Sequence, residues 1–113
     1  MLPLRNLRIP KETEEQLKKL KQRVKVNPNV GARIAFFTSV ESGYRYEGNP
    51  VRMDSSLNLD KVTWLGDLAD AIDTTLQMLY PDMDIDFYKS AWADHVRDGI
   101  TRLRANTSLI NMI

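Results

Sequence analysis

Two runs of apolar residues at helical spacing, separated by Asn27-Pro28, constrain this chain more than any other feature. Leu17, Leu20 and Val24 recur at i, i+3 and i+7, and Val30, Ile34 and Phe37 at i, i+4 and i+7. Both patterns line one face of a 3.6-residue helix, where a half-buried strand would alternate apolar and polar side chains. Asn27 is a favoured N-cap type, and Pro28 suits the first helical position because its missing N–H would have no partner there. Upstream, Pro10 opens the first helix, and Glu12, Glu14 and Glu15 occupy its first turn, where the helix dipole favours acids. Residues 11–25 and the stretch from Pro28 to Val40 therefore read as helix, short turn, helix, closed by Ser42-Gly43. Ala32 and Ala35 let a neighbouring helix approach closely.

Residues 4–9 alternate in part and read as extended. Residues 42–60 carry two glycines, a proline and three serines, and read as a long connection. Tyr44 and Tyr46 flank Arg45 within it; such residues stack on nucleic-acid bases in some proteins, while their plainer role is to pin a loop. Asp60 fits an N-cap for a third helix over about 61–79, with Trp64, Leu65, Leu68, Ile72, Leu76 and Leu79 forming a stripe wide enough for two neighbours. Tyr80-Pro81-Asp82 ends it. A fourth helix over about 86–104 has Phe87, Tyr88, Ala91, Trp92, His95, Val96, Ile100 and Leu103 on its apolar side. The tail, residues 105–113, ends in Leu109, Ile110, Met112 and Ile113, docked on the domain or kept for a partner. The expectation is an all-α fold: one domain over residues 1–113, a compact bundle of about four helices with a long loop between helices 2 and 3.

The chain has 113 residues, no cysteine and one histidine. This removes disulfide scaffolds, cysteine-ligated zinc, iron–sulfur clusters and thiol nucleophiles. His95 has Asp94 and Asp98 nearby in sequence, but no GxSxG elbow exists; three residues after Trp92, it reads as a satisfied, half-buried histidine. Asp82, Asp84 and Asp86 alternate like a calcium loop yet lack its central glycine and closing glutamate, so a loop with a helix N-cap explains them better. The glycines are isolated and build no phosphate cradle. The longest clear apolar run, Ile34 to Phe37, falls far short of the ~18 residues a membrane span needs. Arg5, Arg8 and two prolines stand in the first ten residues, where a signal peptide needs an apolar stretch. The sequence predicts a cytoplasmic protein that is not an enzyme and holds no metal or cofactor.

The formal net charge of +1 hides a strong polarity. Through Arg33 the chain holds nine bases and three acids, a net of +6; the remaining 80 residues hold seven bases and twelve acids, a net of −5. Asymmetry of this kind points to an anionic partner at one end. Lys18, Lys19, Lys21, Arg23 and Lys25 cluster without an acid among them, with Arg5 and Arg8 as a possible arm. Cations also suit the last turns of a helix on dipole grounds, a structural reason for the same cluster. With Leu17, Leu20 and Val24 inward, Lys18, Lys21 and Lys25 share an outward face, a ridge suited to the phosphates of double-stranded DNA.

The segment Lys21 to Gly43, KQRVKVNPNVGARIAFFTSVESG, resembles the DNA sulfur-modification family DndE through Pro28, Asn29, Arg33, Ile34, Ala35, Ser39, Glu41 and Gly43. Thr63-Trp64-Leu65-Gly66-Asp67, His95-Val96, Gly99-Ile100 and Leu103 extend the resemblance, in order, over about Leu7 to Leu103. Where the family has Thr-Gly between the first two helices, this chain has Val24-Lys25; where it often has a cysteine, this chain has Ala32. The resemblance implies a small helical accessory subunit of DNA phosphorothioation, in which sulfur replaces a nonbridging phosphate oxygen. It further implies assembly with other sulfur-modification proteins, DndC and DndD, which carry the sulfur transfer and the ATPase-like function.

Individual residues have plainer expectations. Arg33 is expected to pair with Asp67 or Glu41, Gly66 and Gly99 to mark close helix contacts, and Trp64 and Trp92 to lie in the core or at a subunit interface. Residues 6–40 also look like a ribbon–helix–helix repressor, which would place Asn6 and Arg8 in the major groove. A protein–protein adaptor, its basic helix meeting an acidic partner, is the third possibility. The apolar stripes of helices 3 and 4 and the tail exceed what a small domain easily buries, so a homo-oligomer, dimer or tetramer, is expected.

Overall fold

The computed structural model describes residues 1–111, with side chains through Ala105. The regular structure is helical: α1 (Lys11–Val24), α2 (Pro28–Glu41), α3 (Lys61–Leu65), α4 (Ala69–Leu79) and α5 (Ile85–Asn111). An isolated antiparallel bridge joins Leu7 to Leu59. The all-α expectation holds, with four long helices and the short α3.

α1 starts at Pro10, which is the N-cap and not the first helical residue. Leu17 and Leu20 are buried as expected, but Val24 is 43% exposed. The helix ends there, because Lys25 turns into the left-handed conformation at φ 63° and donates its N–H to the Lys21 carbonyl at 2.9 Å. α2 corrects the expected stripe. Its inward face is Gly31, Ala32, Ala35, Phe36 and Ser39, while Val30 and Ile34 are 37% and 45% exposed. The cause is α5, which crosses so close that a Cβ on Gly99 would lie 1.7 Å from the Ala35 carbonyl oxygen. Small residues fit that crossing, Phe36 packs into the core beside it, and Val30 and Ile34 are turned away.

The third helix expected over 61–79 is broken. Asp60 caps it as anticipated, accepting the Thr63 N–H at 2.8 Å. Gly66 then adopts φ 53°, ψ −137°, and a 3₁₀ turn over Gly66–Leu68 redirects the chain into α4. Leu68 leaves the stripe and is 40% exposed, whereas Trp64, Leu65, Ile72 and Leu76 are fully buried. At the start of α5, Asp84 accepts the Phe87 N–H at 2.8 Å, the N-cap role expected of the acidic run. The α5 backbone continues past the expected end at 104; the docking expected of Leu109, Ile110, Met112 and Ile113 lies outside the described side chains.

Trp64 and Trp92 are core residues, packed edge to face at 5.4 Å. The Trp64 indole N–H donates to the Leu7 carbonyl at 2.9 Å. Each large apolar side chain buried this way contributes about 1.5–3 kcal/mol. The N-terminal segment is part of that core, with Leu2, Leu7 and Ile9 buried. A buried Lys61–Asp73 ion pair clasps it: Asp73 accepts the Leu2 N–H at 2.9 Å and Lys61 donates to the Leu2 carbonyl at 3.2 Å.

Candidate nucleic-acid interface

The long connection is tied down at both ends by buried polar side chains. Glu14, on α1, accepts the Leu57 N–H at 2.8 Å, the Ser56 N–H at 3.1 Å and the Ser56 hydroxyl at 2.8 Å. Burial pushes its carboxyl up, but these hydrogen bonds and nearby Lys18 together hold it below the ordinary value. Tyr44 and Tyr46 take the loop-pinning role. The Tyr44 hydroxyl donates to Asp94 at 2.5 Å, which with burial raises its pKa to about 12, and Tyr46 donates to the Asn49 carbonyl at 2.5 Å.

With this loop packed against one end of α1, the cations on the rest of the helix stay in solvent. Lys18, Lys19, Lys21, Arg23 and Lys25 are all exposed. The structure does not gather them into one ridge; it divides them between two flanks. Lys18, Lys21 and Lys25 line a hollow of about 580 Å³ with Gln22, Pro28 and Leu57. Lys19 and Arg23 line a second hollow of about 150 Å³ with Leu20, Gln22 and, from α5, Arg104. Among the described residues no carboxylate lines either one. Lys18 sits 3.9 Å from Glu14, one turn earlier.

Arg104 was not legible as part of this surface. It lies eighty-one residues from Arg23, and tertiary packing of α5 against α2 and α1 brings it there. Arg5 and Arg8 line neither hollow. Arg5 is exposed near Asp60, and Arg8 donates to the Ser55 carbonyl at 3.2 Å. Their segment is docked and forms no loose arm. This also removes the basis of the ribbon–helix–helix expectation: Leu7 donates to the Leu59 carbonyl of its own chain at 3.2 Å, and Asn6 accepts from Asn58 at 3.3 Å.

Arg33 does not make the expected ion pair with Asp67 or Glu41. Its Nε donates to the Trp64 carbonyl at 2.8 Å and its Nη2 to the Thr63 carbonyl at 2.9 Å. It therefore satisfies the orphan carbonyls at the end of α3. Gly66 lies beneath it at φ 53°, ψ −137°, a backbone conformation that favours glycine.

His95 is fully buried, more deeply than expected, and both ring nitrogens have partners. Ser39 donates its one hydroxyl proton to Asp98 at 2.8 Å, so the 2.8 Å contact between Ser39 and His95 Nδ1 requires a proton on Nδ1. Nε2 is then the acceptor, and Tyr80 donates to it at 2.7 Å while accepting the Tyr46 N–H at 2.7 Å. Burial pushes the imidazole pKa down to about 4. The network joins α2, α5, the C-cap of α4 and the loop, and Ser39 and His95 both have zero exposure. Among the described residues no cluster of histidine and carboxylate side chains fits a metal ion, and no helix is long and apolar enough to cross a membrane.

The family of the DNA sulphur modification protein DndE matches residues 6–111. The crystal structure of DndE from Escherichia coli B7A, involved in DNA phosphorothioation modification, is similar at 48% identity over 91% of this chain and 99% of that one, with a TM-score of 0.83. A glycine-to-lysine mutant of DndE involved in DNA phosphorothioation gives 47% identity, the same coverage and a TM-score of 0.83. No curated protein matches. A family match spanning nearly the whole chain and a shared fold at close to half identity lead to one conclusion: the chain belongs to the DndE family of DNA sulphur modification proteins.

Proposed function

We propose that this protein is a non-catalytic accessory subunit of a cytoplasmic DNA phosphorothioation complex, which holds double-stranded DNA through α1 and works beside DndC and DndD. The observation that carries the reading is the pair of basic hollows on α1, lined by no carboxylate among the described residues, on a helix whose cations all face solvent. Cations placed this way displace condensed counterions from DNA and give affinity without chemistry. The single histidine is sealed in the core, in keeping with a subunit that positions a substrate for others.

Self-association into a dimer or tetramer belongs to the same proposal, on a different surface from the one expected. The stripes of α3, α4 and α5 are largely consumed inside the chain. Among the described residues, an apolar patch is left over on α2, where Val30 and Ile34 stand beside Phe37 and the exposed Leu68.

Fluorescence anisotropy on labelled duplexes across a salt series tests DNA holding. A log–log slope of about −3 to −5 is expected, near −0.9 per phosphate neutralised. Reversing Lys18, Lys19 and Lys21 to glutamate should weaken binding while helicity and oligomer size stay unchanged. Affinity that survives this change rejects the assignment to α1, and absence of binding at low salt favours the protein–protein adaptor.

A further inference from the structure

We propose that the C-terminal half of α1 lies in the major groove of duplex DNA, its two basic flanks on phosphates of opposite strands and Gln22 facing the base edges. This rests on the DNA-holding function above and adds where the helix sits and which side chain reads the duplex.

Three observations lead there. The cations do not form one ridge, as a helix lying across a single backbone would need; Lys18, Lys21 and Lys25 line one hollow, and Lys19, Arg23 and Arg104 the other. Gln22 lines both hollows, so it stands on the crest between them. A helix with its side chains is about 10–12 Å across, and the major groove is about 12 Å wide against about 6 Å for the minor. A helix seated in the major groove has a phosphate backbone on each side and base edges under its crest.

The cations run along the axis on both flanks. Lys18 and Lys21 stand about 4.5 Å apart along the helix, and Lys25 closes the row at the C-cap. Lys19 and Arg23 span about 6 Å on the other flank. The acids set the limit of insertion. Glu14 is buried under the loop, but Glu12 and Glu15 are exposed at the N-terminal end, with Glu15 about 10 Å up the axis from Gln22. Only the last two turns are free of negative charge. A glutamine amide carries both a donor and an acceptor, the pair that adenine N7 and N6 complement in the major groove.

The test uses the whole protein and anisotropy on duplex DNA, with three variants: Lys21→Gln with Lys25→Gln, Lys19→Gln with Arg23→Gln, and Gln22→Ala. All five positions are exposed, and circular dichroism checks that each variant is folded. Each double variant should flatten the log–log salt slope by about 2, one flank as much as the other. Gln22→Ala should leave the slope alone and erase an adenine preference of about fivefold or more that the wild type selects from a random duplex pool. If wild type binds but one double variant keeps the full slope, DNA holding stands and the groove placement falls. A wild type that selects no adenine, or a Gln22→Ala protein that keeps the preference, overturns the role of Gln22. Failure of the wild type to bind at low salt overturns both proposals together.

Discussion

α1 and α2 are consecutive, joined by a three-residue turn, and 14 residues long each, yet they are built on opposite plans. α1 buries four side chains, Thr13, Glu14, Leu17 and Leu20, and gives the rest of its surface to charge. α2 turns Gly31, Ala32, Ala35, Ser39 and Phe36 inward and Val30 and Ile34 out, because its partner α5 comes within backbone contact. Two helices of one length thus do different work. α2 sets the frame by close approach, and α1 rides on it through a narrow apolar seam that leaves its cations free to vary without touching the core.

The largest effect should come from spoiling the close approach. In Gly99→Ala the added methyl would sit 1.7 Å from the Ala35 carbonyl oxygen and 2.8 Å from its Cα. Both are backbone atoms of a helix, so no side-chain rotation relieves the clash. We expect a loss of about 3 kcal/mol, the upper end of what overpacking ordinarily costs, measured by urea denaturation. A Gly99→Ala protein within about 0.5 kcal/mol of wild type would mean that the α2–α5 contact is not what sets the frame.

Acid should separate the two seams next. His95 binds α2 to α5 and α4 as a neutral ring with a pKa near 4, well below its ordinary 6.5. Between those values the unfolded chain takes up a proton that the folded chain refuses, so stability falls as pH drops from 6.5 to about 4 and is level above 6.5. The total is about 3 kcal/mol, at about 1.4 kcal/mol per tenfold change in proton affinity. Glu14, at the α1 seam, has a folded pKa below 4.5, so its contribution is present above 4.5 and is lost only as pH falls further. Denaturation curves at pH 7, 6 and 5 should show the decline, and a His95→Gln protein should be flat across the same window. A wild type as stable at pH 4.5 as at pH 7 would reject the neutral buried ring.

How legible each helix was in the sequence follows from the same contrast. α1 could be read because its inward residues are its leucines, so size and burial coincide and the lysines fall outside by periodicity. α2 could not, because at a close crossing the rule inverts: Ala32, Ala35 and Ser39 go in, Val30 and Ile34 go out, and the residue responsible is Gly99, some sixty positions away. The break at Gly66 was hidden for a similar reason. An isolated glycine in a helical pattern is tolerated in general, and here the Arg33 guanidinium sits where a Cβ would go. Of the surface proposed to meet DNA, the five cations of 18–25 were visible as a charge run. Their division into two flanks, the presence of Arg104 and the place of Gln22 were not, because they depend on where α5 ends up.

The smallest effect is expected at the junction of the two helices, and its sign carries the information. Lys25 ends α1 in the left-handed region at φ 63°, ψ 30°, a conformation that costs a non-glycine residue about 1–2 kcal/mol. Glycine is the residue a helix C-terminus of this geometry ordinarily carries. Lys25→Gly removes the steric cost while making the unfolded chain looser by about 0.5–1 kcal/mol. The net expectation is a gain of up to about 1 kcal/mol. The same change removes one cation from the flank shared with Lys18 and Lys21, so the salt slope of DNA binding should flatten by about 0.9. A protein that becomes more stable and binds DNA less steeply would show that this position holds a lysine for the charge it presents, at a cost to the fold. If Lys25→Gly leaves the slope unchanged, Lys25 makes no phosphate contact, and the basic flank ends at Lys21.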